Sequence, residues 1–312
     1  MKKSLTIVTG TYNEVDNINI LLDQIITLRN SLVRNYDVDV IVIDNDSVDG
    51  TKKELLKYAK KYNWIRLIFN KRNFGHLKSP YYAILQSNSL YTVYLASDLQ
   101  DPVFEIPNLL KKIEHTDDDI VLARRRFDAS HFFNFIRLLF YKIFNYISDF
   151  KILENSTGFG IYRKNVIEVL RSIHEPYPFL RGLISELGFK ISFIEFKQGD
   201  RFKGASKNNF FTLYDLAING IIFGSRNIIR YFCLFSFFLS FMLLLLSVFI
   251  FTYKIFYWYS LPFGYAPFLI LFSLFFSFLF FILGLIGENL SAIKSYTRNI
   301  PMIVEHERIN FK

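Results

Sequence analysis

Along the first part of the chain, short apolar runs rich in β-branched residues alternate with longer stretches whose apolar positions recur every three or four residues. Leu5–Thr9, Val38–Ile43, Ile65–Phe69, Thr92–Ala96 and Ile120–Ala123 read as strands. Between them, Val15–Arg29, Lys52–Lys61, Ser79–Ser87 and Glu105–Ile113 carry helical spacing, the second with a solvated lysine face. Strands that alternate with helices predict an α/β fold with a mostly parallel sheet and helices on both faces, because a parallel connection needs a crossover long enough to hold a helix. Such sheets bind ligands beyond the carboxyl ends of their strands.

The pattern changes after Arg230. Tyr231–Tyr253 is a run of 23 residues without a formal charge; Lys254 follows, and then 33 more uncharged residues from Ile255 to Gly287. A helix of 23 residues is about 34 Å long and crosses a hydrocarbon layer of about 30 Å. Pro262, Gly264 and Pro267 break the start of the second run, which places a second span near Pro267–Gly287. The expected organisation is a catalytic domain over residues 1–210, a juxtamembrane helix over 211–230, two transmembrane helices within 231–287 and a tail over 288–312. Arg226 and Arg230 precede the spans, and Lys294, Arg298, Arg308 and Lys312 follow them. Positive residues favour the cytoplasmic side, so the domain is expected on the cytoplasmic face of the inner membrane. The apolar run near Met1 is too short for a signal peptide.

Composition adds two points. The chain has 312 residues, 36 of them Phe, and a formal charge of +9. That balance suits an anionic membrane surface and anionic substrates; the basic residues are scattered and form no nucleic-acid motif. The single Cys233 falls within the first expected span and excludes a disulfide framework.

The strand ends hold the polar residues that carry chemistry. They are Thr11-Tyr12-Asn13-Glu14, then Asp44-Asn45-Asp46-Ser47-Val48-Asp49-Gly50-Thr51, Asn73-Phe74-Gly75, Ser97-Asp98-Leu99-Gln100-Asp101-Pro102 and Arg124-Arg125-Arg126. Asp49 and Asp101 read as turn or cap residues. Carboxylates at the second strand suit hydrogen bonds from a base or ribose, and one at the fourth suits a divalent cation held against a diphosphate.

With these motifs, and with Gly158–Arg163, Leu180–Gly188, the Arg201…Lys207 segment and Gly287-Glu288-Asn289, the chain resembles the family 2 glycosyltransferases. The resemblance is to their polyprenyl-phosphate (dolichyl-phosphate-type) sugar synthases. It implies a Rossmann-like GT-A domain, a nucleotide-sugar donor, UDP- or GDP-linked, an inverting transfer, a divalent cation (Mg²⁺ or Mn²⁺) and a polyprenyl phosphate acceptor. On that basis Thr11, Tyr12, Asn13, Glu14, Asp44, Asp46 and Ser47 face the nucleotide, Asp98 and Gln100 hold the cation, and Arg201 and Lys207 meet the diphosphate. Asp98 and Arg201 are the expected catalytic residues. The family's Asp-x-Asp begins here with Ala96, its Asp-Asp-Gly-Ser reads Asp44-Asn45-Asp46-Ser47, and its Gly-Asp-Phe-Arg reads Thr157-Gly158-Phe159-Gly160.

His131–Asp149 has a wide Phe-rich apolar arc and a narrow polar stripe, as expected of an interfacial helix. Arg125 and Arg137 are then candidates to clamp a lipid phosphate through their planar forks. The residues by themselves also admit a transferase acting on a surface-glycan hydroxyl, or a silent membrane scaffold that has lost its metal site. A homo-oligomer through the spans is compatible with the resemblance, though no small-xxx-small pattern marks it.

Overall fold

The computed structural model describes residues 2–125, 156–175, 178–196 and 301–311, together with isolated helical positions between 242 and 293. The chain divides into two compact units. One comprises Met1–Lys142, Phe150–Tyr214 and Ile300–Lys312; the other comprises Ile143–Asp149 and Asp215–Asn299.

The first unit is built on strands β1 (Lys3–Thr11), β2 (Tyr36–Asp44), β3 (Ile65–Asn70), β4 (Tyr91–Tyr94), β5 (Ile120–Arg125), β6 (Ser156–Arg163), β7 (Ile191–Phe196) and β8 (Glu305–Ile309). The helices are α1 (Val15–Leu32), α2 (Thr51–Lys61), α3 (Lys78–Leu85), α4 (Ile106–His115), α5 (Lys164–Ser172) and α6 (Leu180–Glu186). All strands join one sheet in the order β7-β5-β6-β4-β1-β2-β3-β8. The β4–β1–β2–β3 pairings and the β5–β7 pairing are parallel, whereas β6 runs antiparallel to β4 and β5, and β8 antiparallel to β3.

Burial explains why the apolar runs read as they do. Ile7, Val40 and Leu67 join one apolar layer with Ile18, Leu21 and Ile25 of α1, while Val8, Ile41 and Ile68 join the other with Tyr81 and Ile84 of α3. Neighbouring strand residues thus enter opposite layers, and both layers exclude water. Gly160 has no room for a side chain, since a Cβ there would lie 2.5 Å from the Val121 carbonyl oxygen.

The return of the chain at its end departs from the sequence expectation. Residues 305–309, read as part of a tail, form β8 on the outer side of β3. Asn310 then takes a left-handed backbone (φ 61°), and its Nδ2 donates to the carbonyls of Ala59 (2.9 Å) and Ile65 (2.8 Å). The pairing covers an edge that would otherwise stay open beside β3.

Among the described residues no helix is long and apolar enough to cross a membrane. The two expected spans within 231–287, the 131–149 interfacial helix and the 211–230 juxtamembrane helix lie outside the described residues, save for isolated helical positions.

Candidate active site

The parallel strands β1, β2 and β4 end on one edge of the sheet, and left-handed backbone concentrates in the loops that follow them. Asn13 (φ 53°), Asp46 (φ 66°) and Leu99 (φ 62°) each sit in such a loop. Asn and Asp enter that region readily; Leu does so at a cost of order 1–3 kcal/mol, and such strain collects at functional sites.

The loops after β1 and β2 are tied together. Asn13 N–H donates to Ser47 Oγ (2.9 Å), and Val48 N–H donates back to Asn13 Oδ1 (2.9 Å). Glu14 N–H donates to Thr51 Oγ1 (3.0 Å) and Val15 N–H to Asp49 Oδ2 (3.1 Å). The amino-terminal turn of α1 is therefore capped from the start of α2 rather than by its own side chains. Asp49 also accepts from the Thr51 N–H and hydroxyl, as a turn residue does. Glu14 accepts from Asn17 Nδ2 (2.7 Å), Tyr12 is half-buried, and Asp46 is exposed.

Asp44 is 1% exposed, and its Oδ2 accepts from the Ser47 N–H at 3.1 Å. Burial pushes its carboxyl above the ordinary aspartate value, with the Ser47 hydrogen bonds opposing. Among the described residues its Oδ1 has no partner, and neither does Oγ1 of buried Thr11. Buried polar atoms are normally paired, and two unpartnered oxygens side by side at this edge suit hydrogen bonds from a ligand.

Asn45 is a residue that the sequence reading passed over. Its Oδ1 accepts from Ser79 Oγ (2.7 Å), Asn70 Nδ2 (3.0 Å) and the Phe74 N–H (2.9 Å), while its Nδ2 donates to Asn73 Oδ1 (2.6 Å). The amide thus fixes the loop after β3 and the start of α3 against the end of β2. The signal was present as the departure from Asp-Asp-Gly-Ser: only an amide both donates and accepts here.

At the end of β4, Asp101 is 3% exposed and closes the turn by accepting from the Ala96 N–H at 3.0 Å. Asp98 is half-buried, and its Oδ1 accepts from the Gln100 N–H at 3.2 Å. Among the described residues no group of three His, Cys, Asp or Glu forms a metal cage. One carboxylate and one amide oxygen fit a hard divalent cation that completes its shell with water and phosphate oxygens. Sequence reasoning named Asp98 and Gln100, and the fold brings their loop beside those of Thr11 and Asp44, since β4 pairs with β1 and β1 with β2.

Antiparallel β6 begins at the same edge. Gly158 (φ 91°) lies there without a carboxylate, and a Cβ on it would stand 3.7 Å from the Tyr94 ring. Its carbonyl accepts from the Tyr162 hydroxyl at 2.6 Å. Of the other expected site residues, Arg137, Arg201 and Lys207 lie outside the described residues, and Arg125 is described only as backbone of β5.

Comparison with known proteins places this geometry. The profile of "Glycosyl transferase family 2" matches residues 6–171. An uncharacterized glycosyltransferase of Synechocystis is 28% identical over 222 residues, 71% of this chain and 69% of that one. A prophage bactoprenol glucosyl transferase homolog of Escherichia coli is 28% identical over 220 residues, 70% of this chain and 71% of that one. Among solved structures, glucosyl-3-phosphoglycerate synthase from Mycobacterium tuberculosis, in complex with Mn²⁺, UDP-glucose and phosphoglyceric acid, superposes with a TM-score of 0.51 at 15% identity. The match covers 71% of this chain and 78% of that one. The matched segment spans β1 to α5 and includes every loop described above but the cap by Asn310, and on that ground the chain belongs to glycosyl transferase family 2 and is a glycosyltransferase.

Proposed function

We propose that this enzyme transfers a sugar from a UDP- or GDP-sugar to the phosphate of a polyprenyl phosphate, with inversion, at a membrane surface. The observation that carries the reading is glycine at position 158, where resemblance to the family leads one to expect an aspartate. A sugar hydroxyl normally needs a base to take its proton. A phosphate monoester has a second pKa of about 6 and is already a dianion near neutral pH. Relatives named bactoprenol glucosyl transferase point to the same acceptor class.

In the reaction an acceptor phosphate oxygen forms a bond to the anomeric carbon. The bond from that carbon to the β-phosphate oxygen breaks, and its electron pair leaves with the nucleoside diphosphate. Thr11 and Asp44 orient the nucleoside through their unpartnered oxygens. Asp98 and Gln100 would hold a divalent cation, which would offset charge on the leaving diphosphate. Arg201 and Lys207 are assigned to the diphosphate, and Arg125 and Arg137 to the lipid phosphate, by resemblance to the family.

Membrane attachment belongs to the same reading. Residues 231–287 carry Lys254 as their only formal charge. β7 precedes this segment and β8 follows it, and both lie in one sheet. A segment whose two ends return to one domain crosses a bilayer an even number of times, which favours two spans with the catalytic unit on the cytoplasmic side. At the helical positions Phe268, Leu271, Phe275, Leu279, Leu283 and Ile286, exposed by 38–65%, apolar side chains recur every three or four residues.

The test is sugar transfer by purified full-length protein in detergent, with UDP- and GDP-sugars, undecaprenyl phosphate and Mg²⁺ or Mn²⁺. A chloroform-soluble sugar product that disappears on chelation is the expected result. Transfer only to a glycan hydroxyl would overturn the acceptor, and absence of both turnover and nucleotide binding would leave a scaffold.

A further inference from the structure

Three of the arginines at the β4–β6 side of the sheet differ in what they hold. Arg163 donates to the carbonyls of Asp118 (2.6 Å), Ile113 (2.7 Å) and Thr116 (2.8 Å), and so fastens the end of α4. Arg171 donates to the carbonyls of Leu85 and Ser87 and to Asn88 Oδ1. Arg181, half-buried on α6, donates through one nitrogen to the carbonyl of Ser156 at 2.6 Å, its one hydrogen bond among the described residues. A guanidinium has five N–H donors, and those of Arg181 that make no hydrogen bond among the described residues are available to a ligand.

Its place in the fold says which ligand. Ser156 pairs with Arg124 at the carboxyl end of β5, so Arg181 reaches the ligand-binding edge of the sheet. Tyr94 and Tyr162 report the same neighbourhood. Burial raises both phenols, Asp101 raises them further, Asp98 adds to this at Tyr94, and Arg181 opposes at both. Arg181 and Asp98 thus act across one phenol, beside the open position left by Gly158. The cation also lies 5.1 Å from the Phe179 ring centroid, which limits its orientations.

The strand order then sets a sequence of subsites along the edge. The orphaned oxygens of Thr11 and Asp44 mark the nucleoside at β1–β2, Asp98 stands next at β4, and Arg181 follows at β6. A donor laid from nucleoside to diphosphate to sugar along this line brings its anomeric carbon toward β6. The incoming group approaches from there.

We propose that Arg181 binds the phosphate of the acceptor, holding the nucleophilic oxygen in the space beside Gly158. The assignment rests on the phosphate-acceptor reading above. Glycine at position 158 leaves space beside the guanidinium for the acceptor phosphate. Arg181 is a binding and positioning residue for the nucleophile, distinct from the groups that face the leaving diphosphate.

The experiment compares wild type, Arg181→Ala and Arg181→Lys as full-length protein in detergent. Undecaprenyl phosphate is the varied acceptor, and nucleotide-sugar affinity is measured separately by calorimetry. Arg181→Ala is expected to raise the acceptor KM at least about tenfold, the loss that follows removal of a charge-assisted hydrogen bond. Donor affinity stays within about twofold, and Arg181→Lys recovers part of the acceptor binding because the charge remains. The acidic limb of kcat moves to higher pH in Arg181→Ala, since a bound dianion without its counter-charge protonates more readily. An unchanged acceptor KM with a lowered Tm would overturn the proposal and leave Arg181 as a tie between α6 and β6. A loss of donor affinity equal to the loss of acceptor binding would also overturn it, in favour of the diphosphate. Wild type that uses only a hydroxyl acceptor would remove the underlying reading before any variant is tested.

Discussion

Thr11 and Asp44 stand opposite each other at the last rung of the β1–β2 ladder, and each buries a side-chain oxygen that finds no partner among the described residues. Several neighbouring polar groups hold one another: Asn13 with Ser47 and Val48, Glu14 with Thr51, Asn45 with Ser79. Unsatisfied oxygens in that setting cost stability unless a ligand donates to them. Under the proposed function, the nucleotide relieves this local penalty.

Asp44→Asn should separate binding from stability. Burial raises the Asp44 carboxyl above 3.8, so the folded protein binds this proton more tightly than the unfolded chain does. The stability linked to that proton is fully present below pH 3.8 and is lost as pH rises through the higher folded value. At pH 7 the ionised group costs stability, and an amide removes the cost while its oxygen still accepts from Ser47. Thermal melting at pH 7 should show an unchanged or raised Tm. Calorimetry should show nucleotide affinity reduced by about tenfold or more.

Asp98→Ala should lose at least about a hundredfold in kcat, because charge on the leaving group is no longer offset. Its fold should persist, since Asp101 and not Asp98 closes the β4 turn onto Ala96. Water-proton relaxation by Mn²⁺ in the presence of nucleotide reads the cation directly. Retained enhancement in Asp98→Ala would move the metal elsewhere.

Asn45→Asp tests the amide hub. The three donors to Oδ1 remain served, but the Nδ2 bond to Asn73 Oδ1 becomes an oxygen–oxygen contact at a position 5% exposed. A loss of about 1–3 kcal/mol is expected in denaturant unfolding. Restoring the family's acidic residue here should thus weaken the protein, and a stabilised variant would contradict the hub.

Truncation after Asn299 should destabilise the catalytic unit, although the removed residues lie outside the matched 6–171 segment. It uncovers β3 and takes away Ile303, a core residue 5% exposed. Asn310→Gly is the milder probe: it keeps the left-handed backbone and loses the bonds to Ala59 and Ile65, for about 1–2 kcal/mol. Hydrogen exchange of β3 amides checks both.

Much of the fold could be read locally. The five strands and four helices expected up to Ala123 recur within a few residues of their observed bounds, because periodicity and burial coincide wherever both faces of a sheet are covered. The polar residues after β1, β2 and β4 were visible as candidates for the same reason, since strand ends are where polar side chains concentrate in such a chain. Family membership followed from their order and is supported by the match over 6–171.

Tertiary structure decided which of those residues are committed to the scaffold and which face a ligand. The sequence presents Asn13, Asp44 and Ser47 alike; folding occupies Asn13 and Ser47 with loop-to-loop bonds and leaves one oxygen of Asp44 without a partner among the described residues. It also turned β6 against its neighbours, brought Arg181 to the start of that strand, and drew the chain end back to form β8. Each of these depends on pairing between residues distant along the chain, which local pattern does not encode: apolar spacing fixes what a segment becomes, while sheet order and burial fix what it meets.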